Sequence, residues 1–311
     1  MLANSSPALT DDLAEFLFKP GPRSITQQIR EFNGARIGDR NRFLAAIHRD
    51  MRRDVPSLAR LKMSQFGRPV CICGDGPSLV DDIPLIRRMK ANGARVISVN
   101  RTHDKLIHKF GITPFAHVMI DPQARVADYV ESPRHDVHYL LAAGVHEKTW
   151  AKFKGYPHYL WIPYADFPTG SEPQYAELKA MFPARDPVIL PGGTTVGLRS
   201  IWVAYYLGLI DQHWFGFDSS FHGDARNVSG KPQADGVKDV TAKLIDRNGA
   251  TVEYATNDHM AKQQLDFEDL ISKQIPDMLK AGTLKPVPRF TVHGRGLLPD
   301  YARKIGLHAE S

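Results

Sequence analysis

The sequence predicts an α/β protein with a Rossmann-like, mostly parallel sheet, flanking helices, a helical N-terminal extension and a late β-hairpin. Two observations support this fold class. Short apolar runs alternate with amphipathic segments from residue 67 onward, and the first three runs end in glycine, asparagine and aspartate. Strands that alternate with helices form βαβ units, in which the helix returns the chain to the same edge of the sheet, so that neighbouring strands are parallel and the crossovers right-handed.

Strands and helices alternate regularly at the start of this core. PVCICG predicts the first strand, and LVDDIPLIRRMKANG predicts an amphipathic helix that ends at Gly93. ARVISVN and RTHDKLIHKFG repeat the pattern, and FAHVMID predicts a third strand. HYLLAAGVH and HYLWIPY are expected as further strands, separated by a lysine-rich helix.

The second half of the core begins with a segment rich in proline, glycine and polar residues. This composition over residues 164–190 predicts a long loop or a lid. TTVGLRSIWVAYYLGL then predicts a helix that Thr194 or Thr195 caps and that ends near Gly208. QHWFGFDSS predicts the next strand.

Two alternating runs on either side of Asn248-Gly249 predict a β-hairpin, because Asn-Gly favours the tight turns of hairpins. A last helix, HMAKQQLDFEDLISKQIPDML, precedes the strand-like PRFTVHG. The expected organisation is a helical extension over residues 1–66, a catalytic core over 67–296 and a C-terminal tail over 297–311.

Composition predicts a cytoplasmic protein without a membrane span. The N-terminal residues are acidic where a secretory signal is basic, and no run approaches the roughly 18 apolar residues of a membrane span. Cys71 and Cys73 lie two positions apart on one predicted strand, so we expect buried thiols rather than a disulfide. The formal charge of +6 is spread along the chain, which favours a solvated basic face and permits an anionic ligand.

Ligands of open parallel sheets bind beyond the carboxyl ends of the strands. We therefore expect the residues that follow four predicted strands to converge on one crevice. These residues are Gly74, Asp75, Gly76, Pro77 and Ser78 after the first strand, Asn100 after the second, Asp121 after the third, and Asp218 and His222 after QHWFGFD.

The first of these turns resembles a dinucleotide-binding loop. Gly74 and Gly76 would let backbone amides approach a phosphate at the start of the next helix. Leu79 replaces the third glycine of the NAD motif, and Asn100 replaces its acidic residue, so a nicotinamide enzyme is not expected. An ordinary strand-to-helix turn is the alternative interpretation.

A second glycine-rich helix start, at Pro191–Thr195, could bind an anion through free amides and two hydroxyls. Simple helix capping explains the same residues. After the later strand, Asp218, His222 and Asp224 could provide a general base with an orienting carboxylate, or a carboxylate pair for Mg²⁺. The sequence contains no HExxH motif, and a dedicated metal site is not predicted.

The motifs CGDGPSL, RVISVNRTHDKLIHKFGITPFAHVMIDPQ, GGTTVGLRSIWVAYYLGL and FGFDSSF closely resemble the MptE-like 6-hydroxymethylpterin diphosphokinase family. The resemblance spans roughly residues 50–296 and implies the fold. Phe115 stands where this family usually has aspartate. The GxGPSL turn also resembles that of bacterial CMP-sialic-acid sialyltransferases and of motility-accessory-factor glycosyltransferases, which act on flagellin.

The resemblance implies two activities. The diphosphokinase would transfer pyrophosphate from ATP to a pterin alcohol with Mg²⁺, and Asp121 and Asp218 would be its carboxylates. The glycosyltransferase would need no metal, and its nucleotide or donor contacts would be Gly74, Asp75, Gly76, Pro77, Ser78, Asn100, Gly193, Thr194 and Thr195.

The sequence therefore predicts a transferase, with a glycosyltransferase that uses a CMP-type nucleotide-sugar donor as the leading hypothesis. Asp218 and His222 are its expected catalytic residues. The Mg²⁺- and ATP-dependent pyrophosphokinase and a non-catalytic nucleotide- or nucleic-acid-binding protein remain as alternatives. The acceptor is left open among a glycan, a protein and a nucleic acid.

Overall fold

A computed structural model of the chain describes residues 40–163, 174–182, 187–193, 195–228 and 237–308. These residues contain an eight-stranded sheet, in the order β10-β7-β1-β2-β3-β4-β5-β6, in which every pair is parallel. Strands β8 and β9 form a separate antiparallel hairpin. The predicted Rossmann-like sheet, its flanking helices and the late hairpin are confirmed, whereas residues 1–39 of the expected helical extension lie outside the described residues. The strands are β1 Pro69–Cys73, β2 Arg95–Val99, β3 Ala116–Met119, β4 His138–Ala142, β5 His158–Pro163, β6 Ile189–Leu190, β7 Asp211–Phe215, β8 Asp239–Ile245, β9 Thr251–Asn257 and β10 Arg289–Val292.

The helices connect these strands and cover both faces of the sheet. They are α1 Arg40–Asp50, α2 Leu79–Ala91, α3 Thr102–Asp104, α4 Glu147–Phe153, α5 Gln174–Met181, α6 Val196–Tyr206, α7 Asp258–Asp269, α8 Ile275–Lys280 and α9 Leu297–Lys304. Helix α3 continues as a π-helical turn at Lys105–Lys109, and α7 reaches α8 through another at Leu270–Gln274. Short 3₁₀ helices span Leu58–Leu61 and Ala124–Tyr129. Among the described helices, none is long and apolar enough to cross a membrane.

Two segments carry more regular structure than their composition predicts. The expected loop over 164–190 contains helix α5 and strand β6, while 164–173 and 183–186 lie outside the described residues. The segment expected as a tail contains α9, which buries Leu297, Leu298 and Tyr301. These apolar residues are one and four positions apart, the spacing of a buried helix face.

The two faces of the sheet have separate cores. Val70 and Ile72 of β1 belong to the larger core, on the side where α6 packs against β1, β2 and β3. Cys71 and Cys73 point to the opposite side and pack with Leu79 and other residues of α2. Both cysteines are free and buried, as predicted, and burial raises the pKa of Cys71 to about 12.

Strand β1 lies where the strand order reverses. From β1 the chain proceeds to β6 along one side, and it then returns to place β7 on the other side of β1. The carboxyl ends of β1 and β7 therefore form the topological switch point, at which open α/β sheets bind their ligands.

Helix α1 is attached to the sheet through a buried carboxylate. Asp50 is fully buried and accepts hydrogen bonds from Arg49 Nε at 2.9 Å, Arg53 Nε at 2.8 Å and the Gly144 amide at 2.8 Å. Arg53 also pairs with Glu147 at the start of α4. One side chain thus connects the N-terminal helix to the β4–α4 loop.

We expect Asp50→Ala to lower the free energy of unfolding by about 2 kcal/mol. The loss lies below the ~3–5 kcal/mol of a fully buried broken pair, because Arg49 and Arg53 are partly exposed. Urea unfolding measures the change, with Asp136→Ala, which removes an exposed ion pair with Arg134, as the control. Equal midpoints for the two variants would contradict the structural role of Asp50.

Candidate functional site

The turn after β1 and the loop after β7 are joined by backbone hydrogen bonds. The Gly74 amide donates to Phe215 O at 2.8 Å, and the Gly76 amide donates to Gly216 O at 2.8 Å. A Cβ atom at Gly74 or Gly76 would lie 2.6 Å from Gly216 O. Glycine is therefore required here for the close approach of two loops.

This packing corrects part of the expectation for the glycine turn. The amides of Gly74 and Gly76 already donate to carbonyl groups, so in this conformation they are not available to a phosphate. Asp75 also contacts the segment that follows β7, because its backbone carbonyl accepts a hydrogen bond from the Val228 amide at 2.9 Å. Pro77 is partly buried and leads into Ser78 at the start of α2.

Ser78 and Asp218 form the centre of the site. The Ser78 amide donates to Asp218 Oδ2 at 2.8 Å, and the Ser78 hydroxyl donates to Asp218 Oδ1 instead of capping α2. Ser78 is fully buried, and Asp218 is 1% exposed. Burial raises the pKa of Asp218 to about 7, although the two hydrogen bonds from Ser78 oppose the shift.

His222 lies between Asp218 and an arginine that follows β10. Its Nε2 atom is 3.4 Å from Asp218 Oδ2, and its Nδ1 atom accepts a hydrogen bond from Arg295 Nε at 3.2 Å. Because arginine Nε is always a donor, Nδ1 is the acceptor and the neutral ring carries its proton on Nε2, facing Asp218. Burial, and then the charge of Arg295, lower the pKa of His222.

The segment Gly294-Arg295-Gly296 is a part of the site that sequence reasoning missed. A Cβ at Gly294 would lie 2.3 Å from Ser78 Oγ, and one at Gly296 would lie 2.6 Å from Asp218 O. Both glycines have positive φ angles, of 88° and 118°. The sequence contains a signal for this segment, because it begins at Gly294, the last residue of the predicted strand PRFTVHG.

Two carboxylates of α2 border this segment. Arg295 NH2 lies 3.3 Å from Asp81 Oδ2. The neighbouring Asp82 has a buried Oδ2 atom with no hydrogen-bond partner among the described residues. Burial raises the pKa of Asp82 to about 6, and the charges of Asp218 and Asp81 add to this effect.

The β8–β9 hairpin and helix α9 hold the loop after β7 from two sides. On the hairpin side, the Phe221 amide donates to Ala255 O at 2.7 Å, and the Thr256 hydroxyl donates to Ser219 O at 2.7 Å. On the other side, the Leu298 amide of α9 donates to Asp218 O at 3.2 Å. The backbone around Asp218 is thus fixed from both sides.

The glycine-rich start of α6 reaches the same region. Thr195 caps α6, as one of the two predicted candidates, and accepts a hydrogen bond from the Leu198 amide at 3.3 Å. Phe217 fills the space between the two helix starts: a Cβ at Gly74 would lie 3.3 Å from its ring, and one at Gly197 2.3 Å.

Gly193 lies at the outer end of this helix start, where a Cβ would be 2.6 Å from Leu198 Cδ1 and 3.0 Å from Asp266 Oδ2. Close packing therefore requires a glycine here as well. Thr194, the other predicted contact, lies outside the described residues.

Asn100 and Asp121 follow strands farther from β7. Asn100 is exposed and adopts a positive φ of 53°, which asparagine tolerates well. Asp121 accepts a hydrogen bond from the Gln123 amide at 2.9 Å. Strand β3 lies three positions from β7, so at ~4.8 Å per strand their ends are about 14 Å apart.

The strands that lead to Asp121 and Asp218 are therefore not neighbours in the sheet, and a joint role of the two carboxylates near bound phosphates stays a prediction. The part of the chain that the structure describes also contains no group of three or more histidine, cysteine, aspartate or glutamate side chains placed to hold a metal. Asp224, the other carboxylate singled out near His222, is exposed in the following turn.

The fold and the site define an α/β protein with a Rossmann-like sheet and a polar centre at the switch point between β1 and β7. A family model described as 6-hydroxymethylpterin diphosphokinase MptE-like matches residues 41–224, which is more than half of the chain. The chain belongs to this MptE-like family. Family membership supports a transferase-like role.

A solved structure of a MAf glycosyltransferase from Magnetospirillum magneticum AMB-1 has the same fold, with a TM-score of 0.57 and 18% sequence identity. The match covers 82% of this chain but 36% of that protein, so the chain spans about a third of its length. A comparison with curated protein sequences gives no match. Arg295 lies beyond the residues that the family model covers.

Proposed function

We propose that this chain is a nucleotide-dependent glycosyltransferase that uses a CMP-type, nucleotide-activated sugar as its donor. The observation that carries the proposal is the arrangement of His222 at the switch point. Its imidazole is 16% exposed, faces the buried Asp218 with one nitrogen and presents the other to a cationic side chain. Glycosyl transfer requires a base that removes the proton of the acceptor hydroxyl and a positive charge that stabilises the leaving phosphate. A histidine beside an arginine provides both.

The proposed reaction is a direct displacement at the anomeric carbon of the donor sugar. The acceptor hydroxyl forms a bond to this carbon, and the bond between the carbon and the donor phosphate oxygen breaks. His222 Nδ1 accepts the hydroxyl proton, and the nucleoside monophosphate leaves with the bonding electron pair. Asp218 Oδ2 lies 3.4 Å from Nε2, where its negative charge orients the ring and stabilises the imidazolium that forms.

Asp218 is better suited to orient His222 than to act as the base. Both of its oxygens accept hydrogen bonds from Ser78, and almost none of its surface is exposed. The donor nucleotide is proposed to lie over the ends of β1 and β2, between Asn100 and the start of α6. Phe217 brings that helix start next to the β1 turn, and a helix N-terminus favours an anion.

A second candidate is the pyrophosphokinase that the family description names, with ATP as donor and Mg²⁺ as cofactor. Phosphoryl transfer of this kind depends on metal ions that neutralise the phosphate charge. The carboxylates expected to bind Mg²⁺, Asp121 and Asp218, follow strands three positions apart in the sheet. The site therefore fits the metal-independent glycosyl transfer better.

A thermal-shift series with CMP, CDP, UDP, GDP, ADP and ATP, each with and without Mg²⁺, separates the two candidates. We expect CMP and CDP to stabilise the protein without metal, because a ligand at 100 times its Kd adds about 2.7 kcal/mol, which corresponds to about 4 °C in Tm for a chain of this size. If ATP stabilises the protein only when Mg²⁺ is present, and AMP is released when a pterin alcohol is added, the pyrophosphokinase is favoured. No shift with any nucleotide would contradict both.

A further inference from the structure

Arg295 combines a fixed backbone with an accessible side chain. Gly294 and Gly296 on either side pack so closely on Ser78 and Asp218 that no Cβ fits, while the Arg295 side chain is 66% exposed. The backbone of this segment thus lies directly on the Ser78–Asp218 pair, and the guanidinium extends from it toward solvent at the mouth of the site.

The present partners of Arg295 leave it able to bind an anion. Its Nε donates to the neutral His222 ring at 3.2 Å, and its NH2 lies 3.3 Å from Asp81, which is an exposed carboxylate. An exposed ion pair contributes little to stability. A phosphate offers two parallel, charge-assisted hydrogen bonds to the guanidinium, which are stronger than either present contact.

The hydrogen bond from Arg295 also prevents His222 from acting as a base. Nε2 carries the ring proton and Nδ1 has its lone pair occupied, so the ring cannot accept a further proton in this arrangement. The residue that fits a donor phosphate is therefore the same residue that blocks the proposed base.

We propose that Arg295 binds the phosphate of the donor, and that its movement from His222 and Asp81 to this phosphate frees His222 Nδ1 to accept the acceptor's proton. The assignment of His222 as the base rests on the proposed function, whereas phosphate binding by Arg295 does not. Base activation would then follow donor binding, so that His222 is released when a donor is present.

Four charged or titratable groups face His222 in the described part of the chain. Asp218 lies on the same loop, Arg295 on the loop after β10, Asp81 on α2 and Asp300 on α9. Arg295 lowers the pKa of His222, whereas Asp81 and Asp300 raise it. When Arg295 moves to a phosphate, its charge is neutralised there, and Asp81, Asp300 and the phosphate favour the protonated ring, so we expect the pKa of His222 to rise although burial of the ring opposes the shift.

The test combines calorimetry with an NMR titration of the His222 imidazole, assigned by comparison with His222→Gln. We expect CMP binding to raise the pKa of His222 in the wild-type protein. In Arg295→Gln this pKa should be raised without ligand, and the affinity for CMP should fall at least 10-fold. Arg295→Lys retains the charge that lowers this pKa but loses the planar guanidinium, so it should leave the pKa of His222 closer to the wild-type value and weaken CMP binding less than Arg295→Gln.

Arg289→Gln is the matched control, because Arg289 lies at the opposite end of β10, is 72% exposed and pairs with the carboxylate of Asp211. This variant should bind CMP like the wild type. If Arg295→Gln binds CMP with unchanged affinity, or if CMP binds the wild type without changing the pKa of His222, the inference about Arg295 is overturned. The proposed function is not affected by either result. If the wild type bound neither CMP nor ATP nor inorganic pyrophosphate, the proposed function would fail together with this inference.

Discussion

Replacing His222 with glutamine is expected to lower the rate constant for transfer by about 10²–10⁴-fold, the usual contribution of a general base. Glutamine can still accept a hydrogen bond from Arg295 through its amide oxygen, so the surrounding contacts are retained. His222 is also partly exposed and lies in a turn. We therefore expect the variant to fold with nearly unchanged stability and to bind the donor normally.

The pH dependence separates a chemical role of His222 from a structural one. In the wild type, both Asp218 and His222 must lose a proton for activity, so log kcat/KM should fall with a slope that approaches two at low pH. In His222→Gln, Asp218 has no imidazole left to orient, so the residual kcat/KM should lose this pH dependence, whereas the wild-type profile should include an apparent pKa near 7 from Asp218. The wild type is active where both groups are unprotonated, above the pKa of Asp218.

His108→Gln is the control for this experiment, because His108 is exposed at the end of the helix that follows β2. It should leave both the rate and the pH profile unchanged. A rate for His222→Gln within about threefold of the wild type would remove His222 as the base, because so small a factor is far below general-base catalysis.

The elements of the fold were largely predictable because their signals are local. β1, α2, β2 and β3 follow their apolar runs closely, and the Asn248-Gly249 hairpin forms where it was expected. In the hairpin, however, Ile245 pairs with Thr251, which leaves a loop of 246–250 rather than a two-residue turn. Asp246 Oδ1 accepts hydrogen bonds from the Asn248 and Ala250 amides and stabilises this longer loop.

The sequence indicates many of the residues at the candidate site, but it does not indicate which of them contact each other. Asp218 and His222 lie together, as their spacing suggests. The contact between Ser78 and Asp218 depends on β7 being the neighbour of β1, and the sequence does not reveal this order. The separation of Asp121 from Asp218 depends on the same strand order.

Arg295 was missed for a related reason. The segment after PRFTVHG is basic and short, which is typical of a tail, although Leu297, Leu298 and Tyr301 have the spacing of a helix face. Strand β10 is nevertheless parallel to β7, so its carboxyl end must lie at the same edge of the sheet as the other site residues. Arg295 follows the predicted strand PRFTVHG directly, so the strand-end rule indicates it as a site residue.

The largest effect on stability is expected at Gly76. Gly76→Ala should lower the free energy of unfolding by about 3 kcal/mol, at the upper end of overpacking effects. The new Cβ would lie 2.6 Å from Gly216 O and 2.7 Å from Asp218 Cγ. Neither neighbour can move freely, because one is backbone and the other belongs to a carboxylate that Ser78 holds through both oxygens.

Gly111→Ala is the matched control, since it introduces the same methyl group at a site where only the backbone conformation, and not close packing, opposes it. Gly111 has a φ of 64°, and no described atom lies within 4 Å of its added Cβ. Its substitution should cost about 1–2 kcal/mol through the left-handed backbone alone. Gly76 has an ordinary backbone conformation, so alanine there would be tolerated if close packing did not forbid it.

Urea unfolding of the two variants at one pH compares strain from the backbone with strain from the contact between the two loops. If Gly76→Ala loses more free energy of unfolding than Gly111→Ala, the turn after β1 packs on the loop after β7 as described. In Gly76→Ala, the new Cβ would push the loop after β7 away and would separate Asp218 and His222 from Ser78 and Arg295. The variant should therefore also have a lower rate of transfer in the protein that remains folded. A loss at Gly76 no larger than that at Gly111 would mean that the two loops are separable. Gly76 would then be free to serve a bound phosphate.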